Sequence, residues 1–201
     1  MRVLLLARHG QSLFNVDKIV NGDPGLDQGL SHLGTEEGKQ LQRQIAAAAI
    51  DLCVTSEFPR AQQTAQLALG ERADTIPTTV DADLNDVRIG ELEGETLDAY
   101  REWKHAHTRA DPYPGGESLD AAAYRYADAF ERVLSRSEEI ILCVCHEIPV
   151  RYAVNAAAGS DALDGPLHNV GNATLYVFDD AGLRRAVERI RKLAAPSVLE
   201  L

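Results

Sequence analysis

The sequence predicts an α/β fold, a three-layer sandwich with a mostly parallel central sheet and helices on both faces. Short apolar runs recur along the chain, and stretches with apolar residues at helical spacing separate them. Because the runs are continuously apolar rather than alternating, they are typical of parallel strands covered by helices. A chain of 201 residues without repeats or linkers is expected to form a single domain over residues 1–201.

The predicted strands are four apolar runs, and the stretches between them carry helical patterns. Ser31 caps a helix that runs to about residue 48, with Leu33, Leu41 and Ile45 on one face. Pro59 suits the first turn of the next helix. The strands cover residues 3–7, 50–55, 140–145 and 174–178, and the further helices cover residues 59–70, 117–134 and 149–158.

Two segments fit this alternation less well. Residues 83–116 are rich in charge and lack a clean period, so we predict a lid and acid loop that borders the functional site, with one helix over residues 97–107. The polar side chains of that helix either line the substrate entrance or face solvent. Residues 183–190 fit a strand and a helix equally, and we favour a final edge strand. An exposed edge would allow two copies of the chain to pair as a homodimer.

Charge and cysteine content exclude several classes of protein. Twenty basic and 31 acidic residues give a net charge of −11, which repels nucleic acid and anionic membrane surfaces. Two of the three cysteines lie in an apolar run, which suits buried reduced thiols better than a disulfide framework or a metal site. The first apolar run is too short for a signal peptide or a membrane span. We therefore expect a cytoplasmic protein without a metal or cofactor.

Imidazole and guanidinium groups follow three of the predicted strands. Arg8 and His9 end the first strand, Arg60 comes shortly after the second, and His146 ends the strand over residues 140–145. Because ligands bind beyond the carboxyl ends of parallel strands, these four side chains are predicted to share one rim. Arginine binds phosphate oxygens with paired, charge-assisted hydrogen bonds. The rim therefore predicts a phosphate site.

The two histidines suit different roles in phosphoryl transfer. A neutral histidine attacks phosphorus, and nearby guanidinium groups keep it neutral because they disfavour the imidazolium. His9, next to Arg8, fits this role. His146 would stabilise the transferring phosphoryl group, either protonated or through a hydrogen bond to an equatorial oxygen. Asn15 could add an amide hydrogen bond to the phosphate.

The leaving alcohol needs a proton donor, so a carboxylic acid is expected near the phosphate. The charged segment after residue 82 supplies the candidates. A carboxyl group beside a bound phosphate has a raised pKa because of like charge, which favours its protonated form. Chemistry alone leaves four choices open: Asp83, Asp86, Glu91 and Glu93.

Four motifs occur in order and together span most of the chain. The first strand ends in the motif Leu-Ala-Arg-His-Gly-Gln-Ser-Leu-Phe-Asn. The second strand is followed by the motif Thr-Ser-Glu-Phe-Pro-Arg-Ala-Gln-Gln-Thr-Ala. Pro-Gly-Gly-Glu-Ser occupies residues 114–118, and His146 closes a late strand. In order and spacing these motifs resemble the histidine phosphatase superfamily, the phosphoglycerate-mutase-like proteins, and within it the small phosphatase branch.

The resemblance implies that His9 is the nucleophile that becomes phosphorylated. It also selects Asp86 as the proton donor, because the triplet ending at Asp86 stands where the family has a Leu-Arg-Glu-like triplet. The implied activity is metal-independent hydrolysis of a small phosphorylated metabolite through a phosphohistidine. The phosphate-binding residues would be Arg8, Asn15, Arg60 and His146.

Two alternatives stay open. The cofactor-dependent mutases of the family have a longer insertion before the Pro-Gly-Gly-Glu-Ser motif than residues 87–113 of this chain, which favours hydrolysis over mutase-type transfer. Glu147 stands where members often have glycine, and its carboxylate would either point away from the pocket or repel an anionic substrate. Together with aspartate at position 86, it leaves open a non-catalytic phosphate-binding or adaptor protein.

Overall fold

The computed structural model describes residues 1–194 and contains a five-stranded sheet with helices against both faces. The strands are β1 (Val3–Arg8), β2 (Leu52–Thr55), β3 (Thr78–Val80), β4 (Ile140–Cys145) and β5 (Leu175–Asp179). They lie side by side in the order β3-β2-β4-β1-β5. The helices are α1 (Leu13–Asp17), α2 (His32–Gln44), α3 (Pro59–Leu69), α4 (Leu97–Ala106), α5 (Leu119–Leu134), α6 (Glu147–Ala157) and α7 (Asp180–Ala194).

The three central strands run parallel and end at the same edge of the sheet. Arg8 at the end of β1 lies opposite Cys145 of β4, and Thr55 of β2 lies opposite Val144. β3 is parallel to β2, whereas β5 is antiparallel to β1. The segments that follow β1, β2 and β4 therefore emerge together, as the predicted site requires. The prediction of a mostly parallel α/β sheet is confirmed.

Alternating side chains of the central strands build two separate cores. Leu4 and Leu6 pack with α5, α6 and α7 on one face, and Leu5 and Ala7 pack with α2 and α3 on the other. Each fully buried leucine contributes about 1.5–3 kcal/mol through removal of apolar surface from water. The two cores give the predicted three layers and hold the ends of β1, β2 and β4 beneath the site.

The prediction of a final edge strand over residues 183–190 is wrong, because these residues lie within α7. β5 already occupies that edge of the sheet, and the chain enters the helix directly after it. Leu183, Ala186, Val187 and Ile190 stand at positions i, i+3, i+4 and i+7 and are all buried, as one face of a helix requires. The Asp179 carboxylate accepts a hydrogen bond from a main-chain N–H of the first turn and stabilises the start of the helix.

Other predicted boundaries shift by a few residues. α2 ends at Gln44, and Leu33 is 52% exposed, whereas Leu41 and Ile45 of the predicted face are buried. α6 begins at Glu147, directly after β4, rather than at residue 149. The sequence analysis misses β3, because three half-exposed or exposed residues give no apolar run.

The charged segment over residues 83–116 contains α4 and is fastened to α5. Arg125 of α5 donates hydrogen bonds to the main-chain carbonyls of Asp83, Asn85 and Asp86. Glu117 pairs with Arg125 and balances its charge. The start of the segment is therefore held in place, and Asp86 with it.

Two further features hold for residues 1–194. None of their helices has both the length and the apolar character needed to cross a membrane. Cys53, Cys143 and Cys145 are buried free thiols. Burial raises the pKa of the Cys53 thiol to about 12, which makes it a poor nucleophile.

Candidate active site

A cavity of about 770 Å³ opens at the carboxyl edge of the sheet. Five of the predicted site residues line it, and the sixth, His146, is fully buried with its ring centre 5.2 Å from that of His9. The central strands and the first turns after them supply most of these side chains. The structure thus brings together all six residues that the sequence assigns to the site. The five that line the cavity are Arg8, His9, Asn15, Arg60 and Asp86.

Hydrogen bonds fix the tautomer of His9. Its Nδ1 lies 2.7 Å from the carbonyl oxygen of Gly10, and because a carbonyl only accepts, we assign the ring proton to Nδ1. Nε2 then accepts a hydrogen bond from Nε of Arg60 at 3.1 Å. The lone pair of Nε2 is therefore the one available for attack, and a guanidinium group lies beside it.

Burial and two arginines keep His9 uncharged. Burial lowers the pKa of His9 well below its ordinary value of 6.5, and the positive charges of Arg60 and Arg8 lower it further. The hydrogen bond to Gly10 acts in the opposite direction and is the weakest of these effects. His9 is consequently neutral at physiological pH, as a nucleophile must be.

Gly10 lies where the loop after β1 touches α2. A Cβ atom at this position would lie 2.5 Å from the carbonyl oxygen of Gly34, so a larger residue would push the loop away from the helix. The N–H of Gly10 donates to Oγ1 of Thr64 on α3 at 2.9 Å. Two helices therefore hold the loop that carries His9.

His146 contacts the other members of the site with both ring nitrogens. Nε2 lies 2.8 Å from Oγ of Ser56, and Nδ1 lies 3.4 Å from Nη2 of Arg60 and 3.6 Å from Oδ2 of Asp86. Burial, followed by the charge of Arg60, lowers the pKa of His146 well below 6.5. Of the two starting states that the sequence leaves open, these surroundings favour the neutral, hydrogen-bonding imidazole.

Arg60 is anchored by residues that the sequence analysis does not identify. Its Nη1 donates to Oδ1 of Asn21 at 2.5 Å and lies 3.2 Å from Oδ1 of Asp27, whose side chain is fully buried. Asn21 is held in turn by Glu93, which accepts a hydrogen bond from its amide at 2.7 Å. Because these partners come from loops distant in sequence, neither spacing nor motif indicates them.

Arg8 is held by a carboxylate that itself lines the cavity. Its Nη1 donates to the carbonyl of Val170 and lies 2.9 Å from Oε2 of Glu147. Oε1 of Glu147 lies 3.1 Å from Nη1 of Arg151. Glu147 therefore points toward the pocket rather than away from it, which decides between the two orientations that the sequence leaves open. Within the described residues, Nε of Arg8 is buried without a hydrogen-bond partner.

Asn15 lies at the cavity wall, where its side chain is exposed. Its Oδ1 accepts hydrogen bonds from the main-chain N–H of Ser12 at 3.2 Å and from Nδ2 of Asn172 at 3.4 Å. Nδ2 of Asn172 also donates to the main-chain carbonyl of His9 at 3.1 Å. Among the residues described, only the oxygen of the Asn15 amide is engaged, so its NH₂ group can donate to a ligand.

Asp86 is the one carboxyl group of the four sequence candidates that lines the cavity. Its Oδ2 lies 3.6 Å from Nη2 of Arg60 and 3.6 Å from Nδ1 of His146. Burial raises the pKa of Asp86 above its ordinary value of 3.8, against the opposing charge of Arg60. The short aspartate side chain therefore reaches the pocket. Outside the cavity lie Asp83, Glu91 and Glu93.

Helix α4 supplies part of the cavity entrance. Lys104 and His105 line the cavity, whereas Trp103 and His107 stack on each other with ring centres 4.0 Å apart. Only part of the polar face of this helix thus borders the entrance. In residues 1–194, no three His, Cys, Asp or Glu side chains cluster as metal ligands do.

Sequence comparison identifies the family. The profile of the histidine phosphatase superfamily (branch 1) matches residues 4–192. The chain belongs to this family. Its similar relatives include the 2,3-bisphosphoglycerate-dependent phosphoglycerate mutase of Methylobacterium sp. (strain 4-46), 35% identical over 70% of this chain and 74% of that protein. The enzyme of the same name from Rhodopseudomonas palustris (strain BisB18) is 36% identical over 71% of this chain and 70% of that protein.

Solved histidine phosphatase structures share the fold. The structure of a putative alpha-ribazole-5'-P phosphatase from Escherichia coli has a TM-score of 0.76 and 25% identity, covering 89% of this chain and 90% of that chain. The structure of a mycobacterial glucosyl-3-phosphoglycerate phosphatase has a TM-score of 0.73 and 25% identity, covering 88% of this chain and 92% of that chain. The resemblance inferred from the motifs is confirmed. Because the relatives' names divide between mutase and phosphatase, the comparisons establish the family and not the specific activity.

Proposed function

We propose that this histidine phosphatase family member is a metal-independent phosphomonoesterase that hydrolyses a small phosphorylated metabolite. The observation that carries the proposal is a neutral His9, whose Nε2 accepts a hydrogen bond from Arg60 and whose ring lies 5.2 Å from that of His146. Arg8, Asn15 and Arg60 would hold the phosphate oxygens. The net charge of −11 disfavours large polyanionic substrates.

In the first step, Nε2 of His9 attacks phosphorus, and the bond from phosphorus to the leaving oxygen breaks as the N–P bond forms. Arg60 exchanges its hydrogen bond to Nε2 for one to a phosphate oxygen. Asp86 gives its proton to the leaving oxygen, so the alcohol departs uncharged. The hydrogen bond from Nδ1 to Gly10 stabilises the positive charge that develops on the His9 ring.

In the second step, a water molecule attacks the phosphohistidine, and the Asp86 carboxylate takes the proton that the water releases. The N–P bond breaks, its electron pair returns to Nε2, and inorganic phosphate leaves. Asp86 is again protonated for the next cycle. His146, held in place by the 2.8 Å contact between its Nε2 and Oγ of Ser56, would stabilise the transferring group in both steps through a hydrogen bond to a phosphate oxygen.

Mutase-type transfer is the second candidate, because the curated relatives carry the name phosphoglycerate mutase. In that reaction a second hydroxyl of a bound sugar acid, rather than water, takes the phosphoryl group from His9. Two observations favour hydrolysis. The segment between Asp86 and the Pro-Gly-Gly-Glu-Ser turn is short, and the two similar solved structures described above are named as phosphatases.

Turnover assays test the proposal. Protein treated with a chelator should release inorganic phosphate from p-nitrophenyl phosphate and from alkyl phosphates. His9→Asn should lower the rate by about 10⁴-fold, because no phosphoenzyme forms. His32→Asn, at an exposed position on α2, is the matched control and should retain full activity.

Three other outcomes would reject parts of the proposal. Loss of activity on chelation would reject metal independence. Interconversion of phosphoglycerates that is faster than phosphate release would establish the mutase. Phosphate binding without turnover of any substrate would establish the non-catalytic phosphate-binding protein.

A further inference from the structure

Glu147 is one of two carboxylates that line the cavity within the described part of the chain, and Asp86 is the other. Glu147 is the first residue of α6. One of its oxygens lies 2.9 Å from Nη1 of Arg8, and the other lies 3.1 Å from Nη1 of Arg151. Because each oxygen is held by a different guanidinium group, the carboxylate is fixed at the cavity wall.

The two arginines that hold Glu147 are themselves suited to bind anions. The side chains of Arg8 and Arg151 are 13% and 9% exposed, and both line the cavity. Within residues 1–194, Nε of each is buried without a hydrogen-bond partner. Guanidinium groups form strong, charge-assisted hydrogen bonds with carboxylates and phosphates. Arg8 has a role in the proposed phosphate pocket, whereas Arg151 has none there.

We propose that Glu147 is a specificity-determining residue that occupies the position of a second substrate anion. It would thereby select phosphomonoesters whose alcohol carries no negative charge next to the phosphate. This inference rests on the proposed phosphatase function. A substrate carboxylate would have to share Arg8 and Arg151 with a carboxylate already bound to them, at the expense of like-charge repulsion and lost hydration. A hydroxyl group at the same place can donate a hydrogen bond to Glu147 instead.

The other charged side chains near Glu147 support the expected change in substrate preference when the charge of Glu147 is removed. Arg151 also pairs with Asp164 at 2.7 Å, and Asp164 pairs with Arg109. Lys104 lines the same cavity and has no ion pair among the described residues. If Glu147 lost its charge, Arg151 and Lys104 would be the cations that receive a substrate carboxylate. The cluster would then favour the anionic substrate.

Two matched substrates test this inference. Glycerol 3-phosphate and 3-phosphoglycerate differ in a hydroxymethyl group against a carboxylate. The wild-type protein should prefer glycerol 3-phosphate in kcat/KM. Glu147→Gln keeps the shape of the side chain and should shift the ratio of the two kcat/KM values toward 3-phosphoglycerate by about tenfold, as expected for one nearby charge. Glu71→Gln, at an exposed position outside the cavity, removes the same charge and should leave the ratio unchanged.

A purely supporting role for Glu147 would lower both kcat/KM values together and leave their ratio unchanged, and that result overturns the inference. Glu147→Gly removes the side chain altogether and should shift the ratio in the same direction as Glu147→Gln. Calorimetric dissociation constants for the two compounds, measured in the His9→Asn background, should shift in the same direction when Glu147 is replaced by Gln, and they show the preference in binding without turnover. Absence of hydrolysis by the wild-type protein would reject the phosphatase, whereas an unchanged binding ratio would reject the role of Glu147.

Discussion

Arg60 and Arg8 are the two guanidinium groups of the proposed phosphate pocket, and they differ in where their charge is balanced. Arg60 pairs with Asp27, whose side chain is fully buried and lies outside the cavity. Arg8 pairs with Glu147, which is 28% exposed and belongs to the cavity wall. A carboxylate that pairs with an arginine from outside the cavity only fixes the position of that arginine. A carboxylate in the cavity wall also acts on the charge of the ligand. Asp27 is therefore expected to serve stability and Glu147 to serve selectivity.

The largest expected difference between Arg60 and Arg8 is in protein stability when each arginine is replaced separately by alanine. Arg60→Ala leaves Asp27 buried without its guanidinium partner. We expect a loss of about 3 kcal/mol in the free energy of unfolding, at the lower end for a buried pair because the main-chain N–H of residue 60 still donates to Asp27. Arg8→Ala leaves Glu147 paired with Arg151, and a loss of about 1 kcal/mol is expected. Chemical denaturation of both variants measures the difference.

The double variant Arg60→Ala/Asp27→Asn provides the control. Since it removes both charges of the buried pair, it should recover part of the stability that Arg60→Ala loses. Equal destabilisation by Arg60→Ala and Arg8→Ala, or no recovery in the double variant, would show that the unpaired charge of Asp27 is not the cause of the stability loss.

The pH dependence of activity also bears on the comparison of Arg60 with Arg8, with a smaller expected effect. The charge of Arg60 acts more strongly than that of Arg8 on the pKa of both His9 and Asp86. The first step needs His9 unprotonated and Asp86 protonated. Because the pKa of His9 is held well below 6.5, protonation of His9 should not lower the rate as the pH falls through 6.5. As the pH rises above the raised pKa of Asp86, kcat/KM for an alkyl phosphate should fall by about tenfold per pH unit.

A comparison of two substrates with different leaving groups shows whether Asp86 causes this fall in kcat/KM at alkaline pH. p-Nitrophenyl phosphate hardly needs an acid, so its kcat/KM should lack the fall. Asp86→Asn should lower the rate for the alkyl phosphate and remove the fall for that substrate as well. An equal alkaline fall with both substrates would assign it to another group.

The sequence was sufficient to predict the residues that meet at the site, because most of them follow parallel strands directly. His9 and His146 come immediately after β1 and β4, which are neighbours in the sheet. Arg60 lies in the first turn of α3, shortly after β2. Since parallel strands end at one edge, identifying the strands was enough to bring these side chains together.

The partners that position these residues could not be predicted in the same way. Asn21, Asp27 and Asn172 lie in loops, and their contacts with Arg60 and His9 join segments distant in sequence. No local pattern encodes such contacts. The pattern over residues 183–190 is misleading for a different reason. This short segment mixes apolar and charged residues in a way that fits an edge strand and one face of a helix equally, and the position of β5 decides between them.

The most direct test of the account is the covalent intermediate. Asp86→Asn mixed with p-nitrophenyl phosphate should be phosphorylated readily, because this leaving group needs no acid, and dephosphorylated slowly, because the base is lost. After rapid denaturation at alkaline pH, mass spectrometry of the peptides should find one phosphoryl group on His9, and brief acid treatment should remove it. A phosphoryl group on another residue, or none in either the wild-type protein or Asp86→Asn, would contradict nucleophilic catalysis by His9.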